Sequence, residues 1–487
     1  MLAAGRKNKP PEPAAVRLST KRGVMLMFIP LLFMLSLVLY CERRHGTGKP
    51  LQDFSRYRIE PAPEWARRGV LYELYVRAFS PEGTFRGAMA RLDHLEHLGV
   101  DVVWLMPIYP IGQAGRKGSL GSPYSVRDYR AVNPELGSEA DFRALVNEIH
   151  RRGMKVILDI VPNHSANDHP FMATHPDWFM RDEQGNFTRE VPEWSDVTDL
   201  NYDNPELRAY MKETLLYWVR EFDIDGYRCD VAGMVPLDFW RDALAALKAE
   251  KPDIYLLAEW EDPQLLLAGF HSDYDWTLYH LLKDIRHKKN RTAEAVSLVA
   301  EKDSLYPRNA LPMRFLENHD EERSLSVFGA AGIQAYATFL FTLPGIPLIY
   351  AGQEWGELHR PSLFEREPIH WEQADSSLLE LYRGLIRMRK TYRCFTEGRY
   401  QPLQCTMLSG SAGAFLRADQ HTVAVVVTNL KNRPVEHLLI TPDAHWKKAL
   451  QGVTLTSLSD STDVRAFGNW TFDRLDPFTT LVYVGRR

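Results

Sequence analysis

From about residue 70 onward the chain is written in short, almost uninterrupted apolar runs separated by amphipathic stretches. The runs are VLYELYVRAF (70–79), VDVVWLMPI (100–108), MKVILDIV (154–161), IDGYRCDVA (224–232), IYLLAEW (254–260), MRFLENHD (313–320) and IPLIYAGQE (346–354), with a weaker one near YDWTLYH (274–280). A strand that is apolar throughout, rather than alternating, is one buried on both faces, as in a parallel sheet covered by helices. ALVNEIHRRG (144–153) has helical spacing and ends on a glycine just before the next run. Eight runs spread over about 330 residues predict the α/β class, as a closed (β/α)8 TIM barrel over 66–395 rather than an open doubly wound sheet. No G-x-G-x-x-G follows an early run, which argues against a dinucleotide-binding fold.

Three segments stand outside that rhythm. From Ser165 to about Asn204 the chain is rich in Asp, Pro, His, Trp and Asn, and a connection that long predicts an inserted subdomain (165–204) after strand 3. Past about residue 396 the pattern alternates in GAFLRA, TVAVVVTNL, HLLITP and TTLVYV, which predicts a C-terminal antiparallel β-sandwich (396–487). The N-terminal tail (1–23) carries Arg6, Lys7, Lys9, Arg17, Lys21 and Arg22 against Glu12, followed by VMLMFIPLLFMLSLVLY (24–40) and Cys41. An uncharged run of about 17 residues is at the short limit for a membrane span. With the positive excess before it, it predicts a signal-anchor transmembrane helix over 24–41, a cytoplasmic tail and the chain after Cys41 outside, periplasmic or extracellular. A lipoprotein modified at Cys41 and a secreted product are the rival readings; bulky Tyr40 and the lack of an A-x-A-like site weigh against them. Residues 42–65, with Pro50, Pro61 and Pro63, form a polar linker.

Composition changes this picture little. The chain is 45% hydrophobic and 25% charged with a net charge of −4, and no half is basic enough for a nucleic-acid partner. Four cysteines are too few for a disulfide framework in a chain of this size. Cys394 and Cys405 are spaced either to pair across a hairpin in an oxidising compartment or to remain two free thiols.

Candidate chemistry lies where four runs end in polar groups: DIVPNH (159–164), GYRCD (226–230), LLAE (256–259) and FLENHD (315–320). In a barrel the C-terminal strand ends converge on one mouth, and buried strands end in charge only when those groups pair or bind something. The segments DIVPNH, GYRCDVA, LLAEW and FLENHD, in that order, resemble the four by which the alpha-amylase family of glycoside hydrolases is recognised. GSPYSVRDY (121–129) resembles its further segment after an early strand. The resemblance spans about residues 65–487. By position it implies Asp230 as nucleophile, Glu259 as general acid/base and Asp320 as the acid that holds the transition state. It implies Arg228, His164 and His319 as contacts to the reacting sugar, Tyr124 stacking beneath it, and Asp159 orienting Arg228. No cofactor is implied. Many members hold a structural calcium through the residue matching Asn163 and a His four positions after the nucleophile. Here Met234 stands at that position, after Gly233, and a thioether is a poor ligand for calcium. Calcium at the usual site is therefore not expected.

Physical chemistry asks for the same set. Retaining hydrolysis needs two carboxyl groups about 5–5.5 Å apart. Arg228 and Asp230 are two apart on a strand and share a face, which turns Cys229 to the other side as a small buried hydrophobe. The guanidinium should hold Asp230 ionised, while desolvation and neighbouring carboxylates should raise Glu259. Glu261 is the competing carboxylate, set aside because Glu261-Asp262-Pro263 reads as loop. Glu321 and Glu322 read as loop residues, with Arg323 placed either to pair with them or to reach substrate. The expected function is a retaining alpha-glucan hydrolase of α-amylase or α-glucosidase type, acting on α-1,4-linked maltooligosaccharides. The alternatives are a transglycosylase or trehalose-forming isomerase, and a non-catalytic amylase-like heavy-chain subunit of an amino-acid transporter. VTDLNY (197–202) does not fix linkage preference.

Overall fold

The computed structural model describes residues 52–373, 376–459, 463–465 and 468–487. The basic tail and the predicted anchor over 24–41 lie outside the described residues. Among the described residues no helix is long and apolar enough to cross a membrane.

Ten strands precede the C-terminal region: β1 (Leu71–Leu74), β2 (Val102–Leu105), β3 (Lys155–Ile160), β4 (His164–Ala166), β5 (Val197–Asp199), β6 (Gly226–Cys229), β7 (Tyr255–Ala258), β8 (Ser272–Asp273), β9 (Met313–Arg314) and β10 (Ile346–Tyr350). Eight of them pair in the order β8-β7-β6-β3-β2-β1-β10-β9, all in parallel. A parallel bridge from Tyr274 to Met313 joins the two ends, so the sheet closes into the predicted barrel. Leu71, Val102, Trp104, Ile157, Leu257 and Leu348 pack together in one core cluster, and the alternate positions Tyr72, Val103, Val156, Leu158 and Leu256 are buried as well, which is why the runs are apolar with no alternation. The helix Glu139–Arg151 shows how the outer layer is specified. Ser138 and Asp141 form a capping box, Phe142, Leu145, Val146 and Ile149 make the buried stripe, and Gly153 leaves in the left-handed region at φ 76°.

Two runs fold differently from their pattern. YDWTLYH itself carries no strand: β8 stops just before it at Asp273, because the Asp275 side chain accepts from Leu278 N and starts the helix Trp276–His287. In MRFLENHD only Met313–Arg314 is strand. Asn318 Oδ1 accepts from the backbone of both Asp320 and Glu321 at 3.0 Å, so the chain turns across the mouth instead of extending.

The insertion contains the antiparallel hairpin β4–β5, which pairs His164 with Asp199. It ends at the helix Pro205–Phe222, capped by the Asn204 side chain. Beyond residue 398 a six-stranded and a three-stranded sheet enclose Leu416, Val425, Val427, Leu438, Ile440 and Trp470, the predicted antiparallel sandwich. Cys394 and Cys405 are free thiols.

Candidate active site

The segment GYRCD begins with a glycine for a steric reason: a Cβ at Gly226 would stand 2.0 Å from the Tyr255 carbonyl oxygen of β7. Two residues on, the Arg228 side chain is fully buried. Its Nη1 donates to Asp159 Oδ1 and to Asp230 Oδ1, both at 2.8 Å, and its Nε donates to Tyr274 Oη at 3.1 Å. Nη2 lies 2.8 Å from Glu259 Oε1, an ion-pair contact without the alignment of a hydrogen bond. The rings of Trp104, Tyr124 and Tyr274 stand 5.2, 5.7 and 5.9 Å from the guanidinium. One cation thus gathers three carboxyl groups from β3, β6 and β7. Cys229 is buried, and burial pushes its thiol well above the ordinary range.

The backbone after Asp230 is strained. Val231 has φ 37°, a left-handed conformation that a β-branched residue adopts only where its surroundings impose it. The result is useful: Val231 N donates to Glu259 Oε2 at 2.8 Å, so the kink after one carboxyl group orients the other. Burial pushes Glu259 up, Arg228 works against it, and the charges of Asp230 and Asp320 add to burial; the group reaches about 8. Burial also raises Asp230, but Arg228 restrains it to about 6. The expected ionisation of Asp230 at neutral pH is preserved, though from a raised value rather than a lowered one.

Asp320 is the most accessible of the three acids, its side chain 24% exposed. Its Oδ2 lies 3.1 Å from His319 Nε2. Burial, the largest single influence, would raise it, but the charge and hydrogen bond of His319 together with the charges of Arg228 and Arg360 outweigh burial and hold it near 2. His319 Nε2 also meets Tyr124 Oη at 2.8 Å, the two rings lying 18° from parallel, and Tyr124 Oη donates to Asp159 Oδ2 at 3.2 Å. Asp230, Glu259, Asp320, Arg228, His319 and Tyr124 therefore form one connected group. His164 stands at its margin: it hydrogen-bonds the Tyr124 backbone, and burial pushes it down to about 3, leaving it neutral.

The competing acids lie elsewhere. Glu261 pairs with Lys302 at 2.6 Å and accepts from Thr277 N. Glu321 accepts from Tyr279 Oη and Lys283 Nζ, and Glu322 is exposed. Arg323 pairs with neither: its Nη1 donates to Glu317 at 2.7 Å and to the Ala351 carbonyl, because the turn at Asn318 carries it back under the loop. At the position matching the family's calcium site, Asn163 turns its amide nitrogen toward Asp199 at 3.4 Å, and the Met234 side chain offers only sulfur, a poor ligand for calcium.

Three residues of the site were not singled out by their pattern. Glu73 on β1 contacts His319 Nδ1 through Oε1, Tyr274 holds Arg228, and Trp104 Nε1 donates to Asp159 Oδ2 at 3.2 Å. The aromatic pair is indistinguishable in sequence from core. Glu73 was detectable, as a carboxylate in the middle of an otherwise apolar strand.

The chain matches the family described as "Alpha amylase, catalytic domain" over residues 68–192 and 172–373. It is 30% identical to the alpha-amylase MalA of Haloarcula japonica over 392 residues, 77% of this chain and 57% of that protein. It is 29% identical over 394 residues to the intracellular maltogenic amylase of Bacillus subtilis, 70% of this chain and 65% of the relative. It thus spans less than two thirds of the length of either. The crystal structure of a noncanonic maltogenic alpha-amylase, AmyB from Thermotoga neapolitana, superposes with a TM-score of 0.79 at 31% identity, over 87% of this chain and 100% of that one. These findings correct the expected placement as a membrane-anchored enzyme outside the cytoplasm. A relative that matches most of the chain is by name intracellular. The run 24–40 is short for a span, and charge asymmetry orients only a segment that inserts. The non-catalytic transporter-subunit alternative falls too, since the relatives carry the names of enzymes. With the match running through the barrel that builds this mouth, the chain belongs to the alpha-amylase family and is a glycoside hydrolase.

Proposed function

We propose that the protein is a retaining alpha-glucan hydrolase that cleaves α-1,4-linked glucosides through a covalent glycosyl-enzyme intermediate. The observation that carries this reading is that Asp230 and Glu259 both lie 2.8 Å from one buried guanidinium, while burial and neighbouring charge raise Glu259 to about 8 and leave Asp230 at about 6. Near neutral pH one carboxyl group is therefore a proton donor and the other an anion, the division of labour that the chemistry requires.

In the first step Asp230 attacks the anomeric carbon as Glu259 gives its proton to the departing glycosidic oxygen. The C–O bond to the leaving sugar breaks and a glycosyl ester of Asp230 forms. In the second step Glu259, now ionised, takes a proton from water, which displaces Asp230 from the same carbon. Asp320 and His319 bind the hydroxyls of the reacting ring, and Asp320 bears negative charge against the developing oxocarbenium ion. Arg228 restrains both catalytic carboxyls, and Tyr124 forms the floor beneath the sugar. The names of the relatives, amylase and maltogenic amylase, support an alpha-glucan as substrate. The protein requires no calcium at the Asn163 position, so EDTA should leave Tm and activity unchanged; a fall in both that added calcium restores would refute this.

The test is a panel of maltooligosaccharides, starch, pullulan and cyclodextrin with products followed in time by NMR. The first product released should be the α-anomer. Initial β-anomer would refute retention, and absence of any reducing-sugar release from the panel would refute the substrate class.

A further inference from the structure

We infer that Glu73, on β1, is the positioning residue that fixes His319 with a proton on both ring nitrogens, aimed at Asp320 and the bound sugar. The inference rests on the proposed hydrolase reading for its role in turnover, but its geometry stands apart from it. Glu73 is fully buried in an apolar strand. Its Oε1 is on His319 Nδ1, and its Oε2 has no hydrogen-bond partner. A carboxylate is placed so only where a cation compensates it, and His319 is the cation in contact. With Nδ1 committed to Glu73, only Nε2 can face the mouth. There it meets Asp320 Oδ2 at 3.1 Å and Tyr124 Oη at 2.8 Å. With its single proton given to Asp159 Oδ2, that hydroxyl can only accept from the ring. Both nitrogens are thereby assigned a proton, the imidazolium.

The other groups facing this ring have been placed on every side. Asp159 on β3 acts on it electrostatically. Arg360, from the loop after β10, donates to the His319 carbonyl at 3.2 Å and, with Arg228, bears on Asp320. Tyr274 and Tyr350 flank Glu73, and Trp104 meets the ring edge-on at 6.0 Å. Burial would discharge the imidazole; Asp320 and Glu73 outweigh burial and carry it to about 10.

The experiment is ¹⁵N-histidine NMR on the wild type, Glu73→Gln and Glu73→Asp, with thermal melts and pH profiles of kcat and KM on a chromogenic maltooligosaccharide. Wild-type His319 should stay doubly protonated up to about pH 9. In Glu73→Gln it should titrate about one unit lower or more, a tenfold change in acid constant. kcat should fall with KM altered less than kcat, while the alkaline limb stays where Glu259 sets it. Glu73→Asp, which keeps the charge, should lie between. A purely structural role would lower Tm and total activity without moving the His319 titration. The proposal is overturned by a His319 titration unchanged in Glu73→Gln, or in Glu73→Asp if the former does not fold, or by a wild-type ring that is neutral at pH 7. NMR needs no turnover, so an inactive enzyme with doubly protonated His319 would sink the hydrolase reading and leave this one standing.

Discussion

The two ends of the barrel each bury arginine, to opposite effect. At the mouth Arg228 meets Asp159, Asp230 and Glu259, and although burial works against its charge, those carboxylates hold its pKa well above the ordinary value. At the other end, where β10 begins, Arg389 donates to the carbonyls of Phe341, Leu343 and Gly345 at 2.8–3.0 Å. Arg417, from the sandwich, donates to those of Thr342 and Gly398. Burial, with no carboxylate in contact, pushes these two down to about 9 and about 10. Carbonyl oxygens at fixed positions tie chain segments together, in Arg417's case the sandwich to the barrel, and move no protons. Carboxyl groups crowded on one cation are left with unequal proton affinities, and that inequality is available to chemistry. Buried charge alone therefore marks either a joint or a site, and the partner decides which.

Substitutions at the two ends should separate these roles. Asp230→Asn should lower kcat by about 10⁴-fold or more with Tm nearly unchanged; an active variant would remove the nucleophile from the mouth. Glu259→Gln should cost about 10²–10⁴-fold and abolish the alkaline limb of the pH profile. In the wild type that profile should be a bell. Activity falls below about pH 6 as Asp230 takes up a proton and above about pH 8 as Glu259 loses one, both midpoints belonging to the coupled pair. A flat profile from pH 5 to 9 would contradict the inequality. Arg389→Met should invert the pattern: a stability loss of about 3 kcal/mol from unsatisfied carbonyls, read by urea unfolding, with kcat per folded molecule little changed. If it lost activity at full stability, the far end of the barrel would be part of the site. Cys229→Ala should show the smallest effect, near 1 kcal/mol of stability and no shift in the pH profile.

Much of this was legible because strand period is rigid. Arg228 and Asp230 had to share a face, and Glu259 had to follow a buried strand, so both could be placed at the mouth from their spacing. Glu261 and Arg323 show the limit. Glu261 is as close to the strand as Glu259 by count, yet Lys302, some forty residues later, claims it. Arg323 was read against its sequence neighbours, but the turn at Asn318 delivers it to Glu317. Neither outcome follows from local order, because each is set by a partner distant in the chain or by a turn built from one side chain.

By itself, the sequence determined the layers: apolar runs without alternation must be buried on both faces, and eight of them separated by helices close into a barrel. It also determined which chemical groups end those runs. Only the tertiary structure decided their protonation, since that depends on burial and on distances between groups from different strands. It alone joined Glu73 to His319 across 246 positions of sequence, and aimed the Val231 amide at Glu259. A hydrogen bond is directional and short, and nothing in residue order carries that geometry until the barrel has closed.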